Sequence, residues 1–411
     1  MYVGYMSKNG FYQNSFKVRL KDLFLNREGN TLFLAKMLLV VVLLAGPISI
    51  SSYTSIANAS TNHVIAGDTQ QYRVYEGFAP TVQPSEVGLV TNPMPGTFEW
   101  WYFQGKFDDN STEQITMLVK PWMDNNGPLQ PYATIAITTP NGTHLFGETK
   151  VDVSQFNAAR NTLNVTMGDT WARGDLNTIN LHFAPTKNGV GADLVYESAA
   201  PPTRFGGSGM WYFDPSLTRI SATNDPMPFA KVHGNMTYDG QTHKVQGTGY
   251  IDKQWGTVNW NQDYDGWYWS TGHYGNYTVD MFVLTASAAY NNEQTVDTYS
   301  ARGDGPSEVL VETMHGVTAT TSGKNITAPG GVHTYPEVLT LQWKNGSNSA
   351  TLTLTDPSIV AAENPTVNTN ATMYGDPLYM RLQGTGTLNV QWDGTNETAS
   401  APAIWEVTYA H

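Results

Sequence analysis

The chain of 411 residues contains no cysteine. Disulfide staples, thiolate metal sites and cysteine nucleophiles are therefore excluded, and stability must come from buried cores. Charge is scarce as well. Only 14% of the residues are Asp, Glu, Lys or Arg, and 22 basic against 35 acidic side chains give a formal charge of −13. Six of the basic residues, Lys8, Lys17, Arg19, Lys21, Arg27 and Lys36, lie in the first 60, so the remainder is more acidic still. A body of that sign repels phosphate backbones and anionic lipid, which argues against a nucleic-acid partner. No apolar run reaches the ~20 residues of a membrane-spanning helix, and no long amphipathic helical period follows residue 60.

What is abundant is aromatic surface and turn chemistry: 12% Phe, Trp and Tyr, 38 Gly and 22 Pro. Short alternating segments bounded by Asn-Gly, Asp-Gly and Gly-Asp predict an all-β chain. Strands are expected over residues 114–121, 132–139, 145–153, 161–167, 178–184 and 191–197. A hairpin is expected over residues 230–238 and 241–250, turning at Asp239-Gly240. Further strands are expected at 308–313, 338–343, 348–355, 380–390 and 403–408. Both halves are β-rich and of similar length, which suggests two β-barrel or β-sandwich domains packed side by side, at 97–245 and 246–411, after an irregular lead-in at 60–96.

The first 59 residues have another character. A basic segment precedes the apolar run Met37 to Ile50, and Ala57-Asn58-Ala59 follows it, the order of a signal peptide or signal anchor. The body is thus expected to be secreted or held at the outer face of a membrane, touching lipid only through that segment. Nine Asn-x-Ser/Thr sequons follow, at Asn110, Asn141, Asn164, Asn235, Asn276, Asn325, Asn345, Asn370 and Asn396, and agree with N-glycans on exposed turns.

Ionisable chemistry meets aromatic surface most densely between Gly247 and Leu284. Asp252, Lys253, Asp263, Asp265, His273 and Asp280 lie there among Tyr250, Trp255, Trp260, Tyr264, Trp267, Tyr268 and Trp269. The expected order is strand, a loop over residues 252–266, then a hairpin turning at residues 272–276. A tight Asp252-Lys253-Gln254-Trp255-Gly256 turn would gather acid, cation, amide and indole, with Gly256 free to take φ > 0. Upstream, Phe98 to Phe103 is aromatic on both faces, so Glu99 needs a buried partner. His233 and His243 lack metal-ligand spacing, Gly206 to Met210 lacks the second glycine of a serine-hydrolase elbow, and no P-loop or dinucleotide fingerprint occurs.

Glu99-Trp100-Trp101-Tyr102-Phe103, the His233 to Gly240 hairpin, Gly249-Tyr250-Ile251-Asp252-Lys253-Gln254-Trp255-Gly256, Trp267-Tyr268-Trp269 and Ile404-Trp405-Glu406 together resemble the hydroxyneurosporene synthase (carotenoid 1,2-hydratase) and AttH-like superfamily. The resemblance covers the chain from about residue 97 and implies two lipocalin-like domains. The Asp-Lys-x-Trp-Gly form is similar to the fungal-type branch, with kievitone hydratase and Diels-Alderase-type pericyclases; bacterial carotenoid enzymes usually carry His where Lys253 stands. In the carotenoid hydratases an Asp-x-x-Trp motif and a downstream Tyr and Asp are implicated, which here fall on Asp252, Trp255, Tyr277 and Asp280.

Hydrating a prenyl C=C needs a proton donor, a surface that tolerates a tertiary carbocation, and a positioned water. A carboxylic acid kept neutral by an apolar pocket can donate. Asp252 is the first candidate and Asp280 the second, with Trp255 as cation stabiliser. Tyr250, Lys253, Gln254, Trp267, Tyr268, Trp269, Tyr277, Trp101 and Glu99 are candidates for substrate binding. No metal or organic cofactor is required. Structural roles compete: Asp252 paired with Lys253 or capping its turn, Trp255 as an interdomain plug, Glu99 and Glu406 as buried ion-pair partners. The expected function is a cofactor-independent exported enzyme for an apolar unsaturated small molecule, with hydration leading. A pericyclase on the same fold and a non-catalytic exported binder of lipid, pigment or glycan are the alternatives.

Overall fold

A computed structural model of the chain describes residues 63–120, 126–303, 307–363 and 379–409. The leader expected over residues 1–59 and the sequon at Asn370 lie outside them. The other eight sequon asparagines are all exposed.

Thirteen strands build the first sheet. β1 is Ile65–Ala66, β2 Phe98–Phe107, β3 Thr112–Leu118, β4 Tyr132–Thr138, β5 His144–Lys150, β6 Phe156–Ala158 and β7 Leu163–Met167. β8 is Thr170–Gly174, β9 Thr178–Phe183, β10 Gly191–Ser198, β11 Met210–Tyr212, β12 Ile220–Tyr238 and β13 Gln241–Gly256. The main path runs β5-β4-β3-β2-β13-β12-β10-β9-β8-β7-β6, with β11 paired to β12 and β1 to β11. Nine strands build the second sheet: β14 Tyr264–Tyr274, β15 Tyr277–Ala286, β16 Gln294–Arg302, β17 Glu308–Thr313, β18 Val317–Thr327, β19 Thr334–Asn345, β20 Asn348–Glu363, β21 Tyr379–Trp392 and β22 Thr395–Tyr409. Their order is β17-β16-β15-β14-β22-β21-β20-β19-β18, and β18 curls back to touch β15 and β16. All the strand pairs are antiparallel. The all-β class and the lipocalin-like layering match the sequence expectation.

Alternation fixes what each sheet encloses. Phe103, Ile115, Met117, Ile135, Leu181, Leu194 and Ile251 fill the first sheet's interior. Val279, Met281, Leu341, Leu352, Leu382 and Trp405 fill that of the second. A third cluster, largely aromatic, joins the two: Phe98, Tyr102, Trp211, Phe213, Tyr250, Trp260, Tyr264, Trp269 and Phe282.

The Asp239-Gly240 turn forms as expected, with φ of 52° and 69° matching a type I′ hairpin. The tight turn expected at Asp252 does not exist. Asp252 to Gly256 are the last residues of β13, paired on one side with β2 and on the other with β12. Crowding, not a positive φ, calls for glycine at 256: a Cβ there would sit 2.2 Å from the Ile220 carbonyl oxygen. The change of sheet falls after Gly256, later than residue 245, and is made by a short corner ending in the helix Trp260–Asp263. Asp263 fixes that corner by accepting the Asn259 N–H at 2.6 Å and a forked pair from Arg219 at 2.8 and 2.7 Å.

Candidate active site

Because β13 is a strand where a turn was expected, its side chains divide by parity. Tyr250, Asp252 and Gln254 share one face with Gln104, Tyr102 and Trp100 of β2, their register partners. Ile251, Lys253 and Trp255 share the other with Phe103, Trp101 and Glu99. Residues three apart on a strand point oppositely, so Asp252 and Trp255 are separated by the sheet.

The inner face forms a closed ion-pair site. Lys253 Nζ lies 2.6 Å from Glu99 Oε1, both side chains fully buried, and 4.6 and 5.6 Å from the ring centres of Trp255 and Trp101. Glu99 also accepts the Val90 and Thr91 N–H groups at 2.8 Å and the Thr91 hydroxyl at 2.6 Å, while the Trp101 indole donates to the Val87 carbonyl at 2.8 Å. Lys253, Trp255, Trp101 and Glu99 are accordingly a structural unit, away from Asp252; Glu99, not Asp252, partners Lys253.

The outer face meets the second sheet. Trp267, Trp269, Asp280 and Phe282 project towards it, as does Asp297 of β16, the register partner of Phe282. Tyr268 and Tyr277 fall on the opposite parity and join the second sheet's own interior, with the Tyr277 hydroxyl donating to Glu397 at 2.6 Å. Neither meets Asp280.

Four aspartates converge between the sheets, Asp225, Asp252, Asp280 and Asp297, none more than 5% exposed. Asp225 arrives by a bulge. In Asn224-Asp225-Pro226-Met227-Pro228 each proline lacks the N–H that β13 would need, and the register slips at both, leaving Asp225 and Pro226 opposite Asp252 alone. The Tyr250 hydroxyl sits at the hub, donating to Asp225 Oδ1 at 2.9 Å and lying near enough to Asp252 and Asp280 to ease their ionisation. The Trp269 indole donates to Asp280 Oδ2 at 3.0 Å. Its ring lies 5.2 Å from Tyr250 and 5.8 Å from Tyr102, the latter edge to face. To one side, Glu406 accepts from Tyr379 at 2.6 Å and from Trp267 at 3.0 Å.

Such crowding disfavours ionisation. Burial, then Glu406 and Asp280, hold Asp252 well above the ordinary carboxylate range. Burial, then Asp280 and Asp252, do the same to Asp225, and burial with Asp280 to Asp297. Asp280 is pushed up to about 7, chiefly by burial, with the Trp269, Tyr250 and Thr271 hydrogen bonds pulling the other way. Asp225 Oδ2, Asp252 Oδ1 and Asp297 Oδ1 accept no hydrogen bond from the described residues. The arrangement can store protons in neutral carboxyl groups beside electron-rich rings. Beyond it, Glu113 holds the Tyr196 hydroxyl and is raised to about 8 by burial, and the Arg381 guanidinium donates to its backbone carbonyl at 3.3 Å.

A narrow cleft, about 240 Å³ including its mouth, reaches one of the four aspartates, Asp297, with Gln254 also in its lining. Asp225 and Asp297 were missed from sequence. The prolines mask one, and the strand carrying the other was not recognised.

Comparison with known proteins gives the family and the fold. A sequence model of the family described as AttH-like matches residues 93–355. The quinolone epoxide rearrangement protein penF of Penicillium thymicola is 25% identical over 202 residues, 45% of this chain and 55% of that one. The chain thus spans little more than half the length of this curated relative. Among solved structures, an AttH protein of Nitrosomonas europaea superposes with a TM-score of 0.54 at 15% identity, over 80% of this chain and 99% of the other. Kievitone hydratase from Nectria haematococca gives 0.51 at 16%, over 80% and 95%. These two share the fold.

Proposed function

We propose that this chain, which belongs to the AttH-like family, is an enzyme that works by acid catalysis on an uncharged, largely apolar small molecule. The observation that carries the reading is the convergence of Asp252, Asp280 and Asp225 on the Tyr250 hydroxyl inside an aromatic layer. An enzyme needs no buried acids for packing alone, since burying ionisable groups costs stability.

In the leading reaction, hydration of a prenyl or isoprenoid C=C, neutral Asp252 gives its proton to one alkene carbon. The π pair becomes the new C–H bond, leaving a tertiary cation. Trp269, Tyr102 and Tyr250 face that charge, each ring contributing ~0.5–2 kcal/mol. Water then adds through an oxygen lone pair, and its extra proton passes by way of the Asp280 carboxylate back to Asp252, which is neutral again for the next turnover. Asp280, near 7, has the acidity suited to that return at neutral pH. Trp255, behind the sheet with Lys253, takes no part.

A second reading keeps the same acid and changes the substrate. The likeness to a quinolone epoxide rearrangement protein favours protonation of an epoxide oxygen, followed by migration within the cation instead of capture by water. Product mass separates the two, since hydration adds one water and rearrangement adds nothing.

The test is turnover of prenylated phenols and aryl epoxides by the native protein and by Asp252→Asn and Asp280→Asn, followed by mass spectrometry. Each variant should lose about 10²–10⁴-fold in rate while keeping the native circular-dichroism spectrum. Native-like rates in both would end the acid reading. Export belongs to the proposal as well: the eight exposed sequons support it, and enzymatic deglycosylation of protein secreted from a eukaryotic host should increase its gel mobility.

A further inference from the structure

We infer that the cleft at Asp297 is the port through which water and protons reach the buried acids, with Asp297 as the positioning residue between solvent and Asp280. The inference rests on the acid-catalysis reading and adds the route which that chemistry requires.

The cleft runs between the sheets. Ser221, Thr223 and Gln254 from the first sheet and Asp297 from the second give it a polar seam, and Phe282 and Leu284 an apolar side. Its bore is about that of one water molecule, too narrow for a substrate ring. A water held in such a space needs two to four polar partners; most of the wall is apolar, so Ser221, Thr223, Gln254 and Asp297 are the residues through which a water would be held. Of these, Asp297 offers Oδ1, which takes no hydrogen bond from the described residues although Asp297 is 1% exposed. At the inner end the seam meets both halves of the site. Gln254 lies two residues from Asp252 on the same face of β13, and Asp297 lies one strand from Asp280 and on the same face of the second sheet.

The reaction needs such a passage. Each hydration consumes one water, while the proton lent by the acid is recovered from that water, so water has to enter and protons need not accumulate. In the rearrangement no water is consumed, and the same passage would serve to re-equilibrate the acids with solvent. Trp211, Trp260 and Tyr264 form the aromatic part of the cleft's own wall.

The experiment requires no substrate. The full chain is moved from H₂O into D₂O, and the carbonyl stretch of its protonated carboxyl groups is followed by time-resolved infrared spectroscopy, with Asp280→Asn and Asp252→Asn assigning the bands. In the native protein these bands should shift well before the amides of β13 and β15 exchange. Thr223→Val, which removes one polar step at nearly constant volume, and Leu284→Phe, which narrows the bore, should each slow the shift at least tenfold. If Leu284→Phe does not fold, Thr223→Val still decides. Unchanged rates in folded Thr223→Val, or native bands that shift only as fast as the core amides, would overturn the port. Should exchange stay unchanged while Asp252→Asn remains inactive, the port falls and the acid mechanism stands. Exchange slowed by these substitutions, in a protein that turns over no substrate, would leave the port standing and remove the acid mechanism.

Discussion

Replacing Asp280 by Asn should alter how stability responds to pH, by an amount that follows from the site. In the unfolded chain this carboxyl titrates near its ordinary 3.8, and in the folded protein at about 7. Between those values the folded molecule holds a proton that the unfolded one has released, so raising the pH favours unfolding. The stabilising contribution is complete below the unfolded value and is lost as pH rises through the folded one. At 1.36 kcal/mol per pH unit, a gap of about 3 units amounts to about 4 kcal/mol, a large share of the ~5–15 kcal/mol by which a domain is stable. Sharing of protons with Asp225 spreads the loss over a wider range. Asn cannot ionise and can still accept the Trp269 N–H through its amide oxygen. Urea unfolding of the native protein and the variant at about pH 5 and about pH 8 measures the difference. The variant should gain at least ~2 kcal/mol relative to native between the two conditions. Parallel curves, agreeing within ~0.5 kcal/mol at both pH values, would show that Asp280 does not hold its proton in the fold.

Three other outcomes follow from the same geometry. Lys253→Met strands the Glu99 carboxylate and should cost about 3–5 kcal/mol in urea unfolding, with Glu99→Gln in the same chain restoring much of it; a single-variant loss under ~1 kcal/mol would contradict the buried pair. Trp255→Ala should destabilise by about 3–5 kcal/mol yet leave the pH dependence assigned to Asp280 intact, because the ring lies behind the sheet. A changed pH dependence would place Trp255 in the acid site after all. Gly256→Ala forces a methyl against the Ile220 carbonyl and should lower the thermal midpoint by several degrees; an unaffected midpoint would mean that β12 and β13 can part locally.

Much of the fold was legible because alternation and turn chemistry are local. The strands near 114, 132, 178 and 308 and the Asp239-Gly240 hairpin were visible as patterns of apolar residues and φ > 0 formers. β8, β16 and β18 were not, since Thr170–Gly174 is short and Val317–Thr327 is almost wholly polar and exposed. The site was half legible. Asp252, Asp280, Tyr250, Trp267 and Trp269 share one interface, as their density suggested. Reading Asp252 to Gly256 as a turn hid the parity that sends Lys253 and Trp255 to the other side. Asp225 was hidden by its prolines, which usually mark loops and here mark bulges in a long strand. Register between distant segments, such as β14 with β22, is set by tertiary packing and leaves no mark at either place alone.

β22, Thr395–Tyr409, is hydrogen-bonded between β14 and β21, and it brings Glu406 beside Trp267. A ribosome must therefore deliver more than a hundred residues after Trp269 before this wall of the site can exist. Until then β14 has one edge bare and its tryptophans uncovered, a state that invites aggregation and holds chaperones in attendance. Assembly should consequently be slow and dominated by contacts remote along the chain, and ribosome-bound chains halted before residue 395 should be sensitive to protease throughout β14 and β15.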